Sequence, residues 1–245
     1  MDSVYSSVKI EGLPVTFPQT KQIIENAEIT KVKADNVQFV LNMRNAWKFL
    51  LDTLDCDFTL MYVRELNKIC GYGLIHGSGD LRQSLVSIGG STYIPSIPSY
   101  MSVLQEIDKL NNIEDNIQRA VAVFEYLSKA QLFIDGNKRV AQLAANKILI
   151  SSNEGILKIP DTDVEGFISA LVDYYETGSN CLENFLLEKC LIRVVQYDYV
   201  MYKDFKFPVK DILSILPESV KKQYSSELEC AKDNVELLYK LSGGR

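Results

Sequence analysis

An all-α fold carrying one small β-hairpin is what this sequence predicts, on three observations. Apolar residues recur at spacings of three and four through most of the 245 residues, the period of a helix with one face in a core. β-favouring runs flanking a pair of glycines stand apart from that pattern in LRQSLVSIGGSTYIP, residues 81–95. Hydrophobic residues make up 47% and charged residues 24% of the chain. That is enough apolar material for a substantial core, and its runs are too short to cross a bilayer, so no membrane contact is expected.

The first 35 residues read as an N-terminal segment ahead of the first long helix. MDSVYSSVKIEG has no apolar run after a basic start, so it does not resemble a secretory signal and the expected compartment is the cytoplasm. Residues 36–55 align Phe39, Val40, Trp47, Leu50, Leu51 and Leu54, and residues 113–130 align Ile113, Ile117, Val121, Phe124 and Leu127. Both predict core-facing helices. Between them, 81–95 reads as an exposed hairpin turning at Gly89 and Gly90, where positive φ costs glycine nothing.

Residues 138–152 carry Ala141, Leu143, Ala144, Ala145, Ile148 and Leu149 around much of the circumference, as a helix at the centre of a domain would. Pro160 and Asp161 open another helix with Phe167, Leu171 and Tyr174 on one face and Gly178 as its C-cap. After residue 195 the pattern loosens through QYDYVMYKDFKFP into a helical tail over 208–242. The organisation predicted is an N-terminal segment (1–35), a core domain (36–195) and a C-terminal helical extension (196–245).

Charge and composition exclude several chemistries. Twenty-six basic against 32 acidic residues give a net charge of −6, which argues against direct nucleic-acid binding. Five cysteines (Cys56, Cys70, Cys181, Cys190, Cys230) form no CxxC pair and read as buried, reduced thiols. With a single histidine, His76, there is no zinc-type cluster and no serine triad, and His76 itself reads as a structural hydrogen-bonder in a glycine-rich loop. Tyr93, Tyr100, Tyr174 and Tyr175 read as core aromatics rather than base-stacking ones.

The chemically informative stretch is QLFIDGNKRVAQ, 131–142. One helix ends near Gln131, the chain turns through Asp135, Gly136 and Asn137, and another helix starts near Lys138. The first amides of a helix lack intrahelical partners and sit at the positive end of its dipole, and a glycine lets a ligand approach them. Asp135 is placed to hold Mg²⁺ against phosphate oxygens, Arg139 to donate a bidentate pair, and Phe133 to plug the core. Asp-Gly-Asn is equally ordinary turn and capping chemistry.

These residues resemble the signature of the Fic/Doc family, His-x-Phe-x-Asp/Glu-Gly-Asn-Gly/Lys-Arg-x-x-Arg. GDLRQSLVSIGGSTYIPSIPS (79–99) is similar to that family's target-docking flap, and SSVKIEG (6–12) resembles its inhibitory motif, with Ser7, Glu11 and Gly12 in the matching places. The resemblance implies a Fic-type helical bundle with a β-hairpin flap, binding ATP and Mg²⁺ and of the protein-adenylyltransferase type, which moves AMP to a hydroxyl of a target protein. It places Asp135 on the metal and Gly136, Asn137, Lys138 and Arg139 on the phosphates. The flap residues Ser84, Leu85, Val86, Ile88 and Tyr93 would take the target by strand addition, and a homodimer is an expectation of the same kind.

Two positions depart from the signature. Gln131 stands where the family has the histidine that accepts the proton of the attacking hydroxyl. An amide has no usable pKa near neutrality, and losing such a base typically removes about 10² to 10⁴ in rate. Gln142 replaces the second arginine, which meets the γ-phosphate, so Glu11 would lose its family ion pair and keep at most one neutral hydrogen bond. Weak or absent transferase activity is therefore expected. The alternatives are a catalytically dead protein-binding or regulatory module and, because Lys138 resembles the Doc branch, a phosphotransferase.

Overall fold

In a computed structural model, residues 1–27, 32–193, 199–202 and 205–208 are described. The N-terminal segment folds into α1 (Asp2–Ile10) and α2 (Phe17–Ile24), the second opened by a Thr16/Gln19 capping box with Pro18 in its first turn. Then come α3 (Ala34–Asp52), α4 (Leu60–Gly71), α5 (Tyr100–Asn111), α6 (Asn116–Ala130) and α7 (Asn137–Ser151). The side chains of Thr59, Ser99 and Asp115 accept from the backbones of Tyr62, Ser102 and Gln118, and so start α4, α5 and α6. β1 (Gly155–Leu157) precedes a 3₁₀ turn at Asp161–Asp163, α8 (Val164–Thr177), α9 (Cys181–Phe185) and β2 (Leu191–Arg193). β2 returns antiparallel to β1 with Ile156 opposite Ile192.

The architecture is a helical bundle around α7, which packs against α6, α4 and α3. Val140, Ala141, Leu143, Ala144, Ala145, Ile148 and Leu149 are all buried, as the all-round apolar pattern predicts, and small alanines let the neighbouring helices close in. The polar members of α7 are buried as well, and they act as ties. Asn146 donates to the carbonyl of Leu157 and accepts from its amide, pinning β1 to the hub, and Ser7 of α1 donates to Gln142 at 2.7 Å.

Several expectations need correction. Among the described residues, 79–99 form no paired strands. The turn at Gly89–Gly90 is present, with Gly90 at φ 81° and the Ser91 amide on the Ile88 carbonyl, but no further backbone hydrogen bond joins the two arms. Their polar groups are taken by other partners, chiefly the Arg82 guanidinium and the Glu176 carboxylate, and Pro95 and Pro98 have no amide to give. On α8 the buried stripe is Phe167, Leu171 and Tyr175, with Tyr174 half-buried, because spacings of four carry the face one residue further. Gly178 does close that helix, at φ 71°. Among the described residues Cys70 and Cys190 are buried thiols, both pushed up to about 12 by desolvation, whereas Cys56 and Cys181 are exposed.

Residues 1–193 form one compact unit and 194–245 a second. In the second, the stretch read as loosened carries an antiparallel pair, β3 (Tyr199–Tyr202) and β4 (Phe205–Pro208). The helical tail expected over 208–242, and Cys230, lie outside the described residues apart from Pro208. Among the described residues no helix is long and apolar enough to cross a membrane.

Candidate functional site

The α6–α7 connection is built from its own side chains. Gln131 ends α6 in the left-handed conformation (φ 45°), which turns the chain sharply. The Asn137 side chain then folds back over the loop, accepting from the Phe133 amide at 3.0 Å and donating to the Phe133 carbonyl and to Gln131 Oε1, both at 2.9 Å. Phe133 is buried beneath. Gly136 is left-handed (φ 84°), and an added Cβ would meet Asn67 Nδ2 at 2.9 Å, so both backbone and space require glycine. Asn67, from α4, braces the loop by donating to the Asp135 carbonyl and accepting from the Gly79 amide.

This leaves the amides at the start of α7 without intrahelical partners. Gln131, Asp135, Asn137 and Lys138 line a cleft of about 280 Å³, closed by Glu11, by Ser87, Ile88 and Gly89 of the flap, and by Leu171 and Tyr175 of α8. Arg139 lies behind the loop, almost fully buried, with its guanidinium over the Phe39 ring at 4.9 Å and on Asp135 at 3.0 Å. Glu11 reaches the same cations, 3.6 Å from Arg139 Nε and 3.8 Å from Lys138 Nζ. The expectation that Glu11 keeps only a neutral hydrogen bond is overturned: Ser7 takes Gln142, and the Glu11 carboxylate instead lies on Lys138 and Arg139. Gly12, at φ 67°, turns the chain away after it.

The predicted residues are therefore not all gathered. Gln142 is buried one turn along α7 from Arg139, and its Nε2 has no partner among the described residues. Of the flap set, Ile88 faces the cleft. Ser84 and Leu85 are exposed and Val86 partly so, while Tyr93 is turned away against Tyr175 and the Lys129 ammonium. His76 is exposed and outside the cleft.

Gln131 itself is committed at both ends of its amide, accepting from Asn137 and donating to the Ser128 carbonyl at 2.6 Å. Asp135 is the carboxylate at the mouth, 60% exposed, and no cluster of three metal-ligating side chains occurs among the described residues. A lone exposed carboxylate fits Mg²⁺, which commonly takes one or two protein carboxylates and completes its shell with phosphate oxygens and water.

Residues that the sequence did not advertise organise the rest. Arg82, 2% exposed, donates to the carbonyls of Gln131, Ser84, Pro95 and Ser96, and so fastens the flap root to the end of α6. Glu176 accepts from Ser91 Oγ and from the Thr92 amide and hydroxyl at the flap tip, which holds its carboxyl down to about 2. Asn67, Arg82 and Glu176 act across long sequence separations, and no local pattern marks them.

Residues 57–149, from the start of α4 to near the end of α7 and including the whole loop, match the family model of the Fic/DOC family. Over that stretch the chain is similar to the Fic/DOC family. A relative named protein adenylyltransferase Fic from Drosophila sechellia is 28% identical over 167 residues, 64% of this chain and 34% of that protein, and the Drosophila melanogaster protein matches equally. The chain thus spans about a third of the length of the curated relatives it matches. Among solved structures, Fic-1 from C. elegans superposes with TM-score 0.63 at 22% identity, covering 76% of this chain and 57% of that one. A Fic domain containing signaling protein from Bacteroides thetaiotaomicron gives 0.61 at 19%, covering 69% of each. These place the Fic-type helical fold around the loop described above.

Proposed function

We propose that this chain binds ATP with Mg²⁺ at the start of α7 and is of the protein-adenylyltransferase type, with transfer slowed at Gln131. The observation that carries the reading is the cradle itself. A left-handed glycine exposes free helix amides, Lys138 and Arg139 stand beside them, and a carboxylate, Glu11, already lies on those cations. An anionic group of the chain's own on those cations supports an anion as the ligand. The names of the relatives supply the nucleotide and the reaction class.

In this reading the α7 amides and Lys138 grip phosphate oxygens, and Arg139 switches from Asp135 and Glu11 to phosphate. Asp135, released from Arg139, holds Mg²⁺, which neutralises charge on the phosphate chain. Gln131 orients but takes no proton, since both ends of its amide are occupied. Residues 83–89 of the flap, with no ladder partner among the described residues, offer a free edge to an extended segment of the target.

Titration calorimetry with ATP tests this. Metal-dependent heat lost in Asp135→Ala supports it, and Glu11→Ala should tighten binding by about tenfold, the worth of one charge-assisted contact. Gln131→His should then raise AMP transfer onto protein hydroxyls by about 10² or more. The locked Gln131 amide also favours a second reading, a binding module without chemistry. ATP heat without transfer in Gln131→His favours that module, and no heat under any condition rejects the nucleotide site.

A further inference from the structure

Tyr175 is a buried polar residue that the reading above does not use. Its ring is accounted for: 2% exposed, it stacks at 23° on Tyr93 with centroids 6.5 Å apart and forms part of the α8 core stripe. Its hydroxyl is not accounted for. The oxygen is buried and has no hydrogen-bond partner among the described residues. The Ser128 and Gln131 side chains are its hydrogen-bonding neighbours and draw its pKa down against the effect of burial, but neither meets it within hydrogen-bond geometry: Ser128 is turned to the Glu125 carbonyl, and the Gln131 amide to Ser128 and Asn137. A phenylalanine would fill this space without the cost of an unpaired hydroxyl.

The residue lines the cleft beside Gln131, Asn137, Lys138 and Glu11. Burial raises the phenol well above its ordinary pKa, and the Glu11 carboxylate adds to that rise, so negative charge is within its reach. It is therefore a proton donor at neutral pH, on a residue of the cleft wall.

We propose that the Tyr175 hydroxyl is a ligand contact, donating to a phosphate oxygen of the molecule held at the start of α7. This rests on the cleft taking phosphate, and it adds an anchoring residue from α8 that the loop signature does not contain. The hydroxyl is left unpaired in the free protein and is satisfied on binding.

The test is Tyr175→Phe in the whole chain, with Mg²⁺·ATP and inorganic pyrophosphate as probes and Ser128→Ala as the comparison variant. The melting temperature of the free protein should hold or rise, since only an unpaired hydroxyl is lost, while the dissociation constant for either probe rises about tenfold or more. Equal affinity of wild type and Tyr175→Phe overturns the role of Tyr175 while leaving the nucleotide reading standing. Binding of pyrophosphate but not ATP, weakened by Tyr175→Phe, keeps Tyr175 and rejects the nucleotide. A lower melting temperature in Tyr175→Phe, matched by Ser128→Ala, shows the hydroxyl paired with Ser128 and overturns the proposal. Binding of neither probe by wild type overturns both.

Discussion

The anion loop and the flap meet at one cleft, yet they are held in opposite ways. The loop, 131–139, is tied to itself: Asn137 closes on Phe133 and Gln131, and Arg139 on Asp135, all within nine residues. The flap has no ladder of its own: the Arg82 side chain gathers the Ser84, Pro95 and Ser96 carbonyls and fastens the root to the end of α6, and Glu176 fastens the tip to α8. Between these anchors residues 83–87 make no backbone ladder among the described residues. A site that must fix a small anion needs amides held in place before the ligand arrives, whereas a surface that takes another backbone must keep its own edge unspent.

Arg82→Ala should break that contrast most severely, because one guanidinium serves both regions. It leaves the buried Pro95 carbonyl and the partly buried bonds to the Gln131, Ser84 and Ser96 carbonyls without their donor at once, and the expected loss is about 3 kcal/mol, or roughly 10 °C in melting temperature. Lysine, which lacks the fork, should recover less than half of the loss. Thermal unfolding measures this, and a melting temperature unchanged in Arg82→Ala would show that the flap root is held by other contacts. Asn137→Ala should come next, at about 2 kcal/mol, since it strands the buried Phe133 amide and carbonyl. Amide exchange separates the two variants: Asn137→Ala should loosen the loop and spare the flap, and Arg82→Ala should loosen both.

The same contrast explains what the sequence makes legible. The loop can be read because its bonds join near neighbours, so Asp135, Gly136, Asn137 and Phe133 announce their places through spacing alone. The helices can be read because burial repeats every three or four residues. The flap misleads: its β-favouring residues and glycine pair are real, but the partners of its backbone lie up to 84 residues away, at Glu176, or on an arginine that looks like a surface charge. Glu11 is legible as a motif residue but not in its partner. Which cation it meets depends on how α1 lies along α7, and the Ser7–Gln142 bond fixes that register.

The smallest effect should come at the flap tip, where pH separates the two regions without a large change in stability. The Glu176 carboxyl is held down to about 2 by the Ser91 and Thr92 donors, below the ordinary glutamate value near 4. A depressed folded-state pKa means that its contribution is complete above the unfolded value and is lost as pH falls through the folded one. Exchange or proteolysis at residues 89–93 should therefore be constant from pH 7 to about 5 and rise between about 4 and 2. Glu176→Gln, which keeps the shape and removes the charge, should raise flap exchange at neutral pH and flatten that acid rise. Exchange in the loop, whose Asn137 tie carries no titrating group, should not respond to the substitution. An equal acid response in wild type and Glu176→Gln would mean that the tip is anchored elsewhere, and the flap would then be held only at its root.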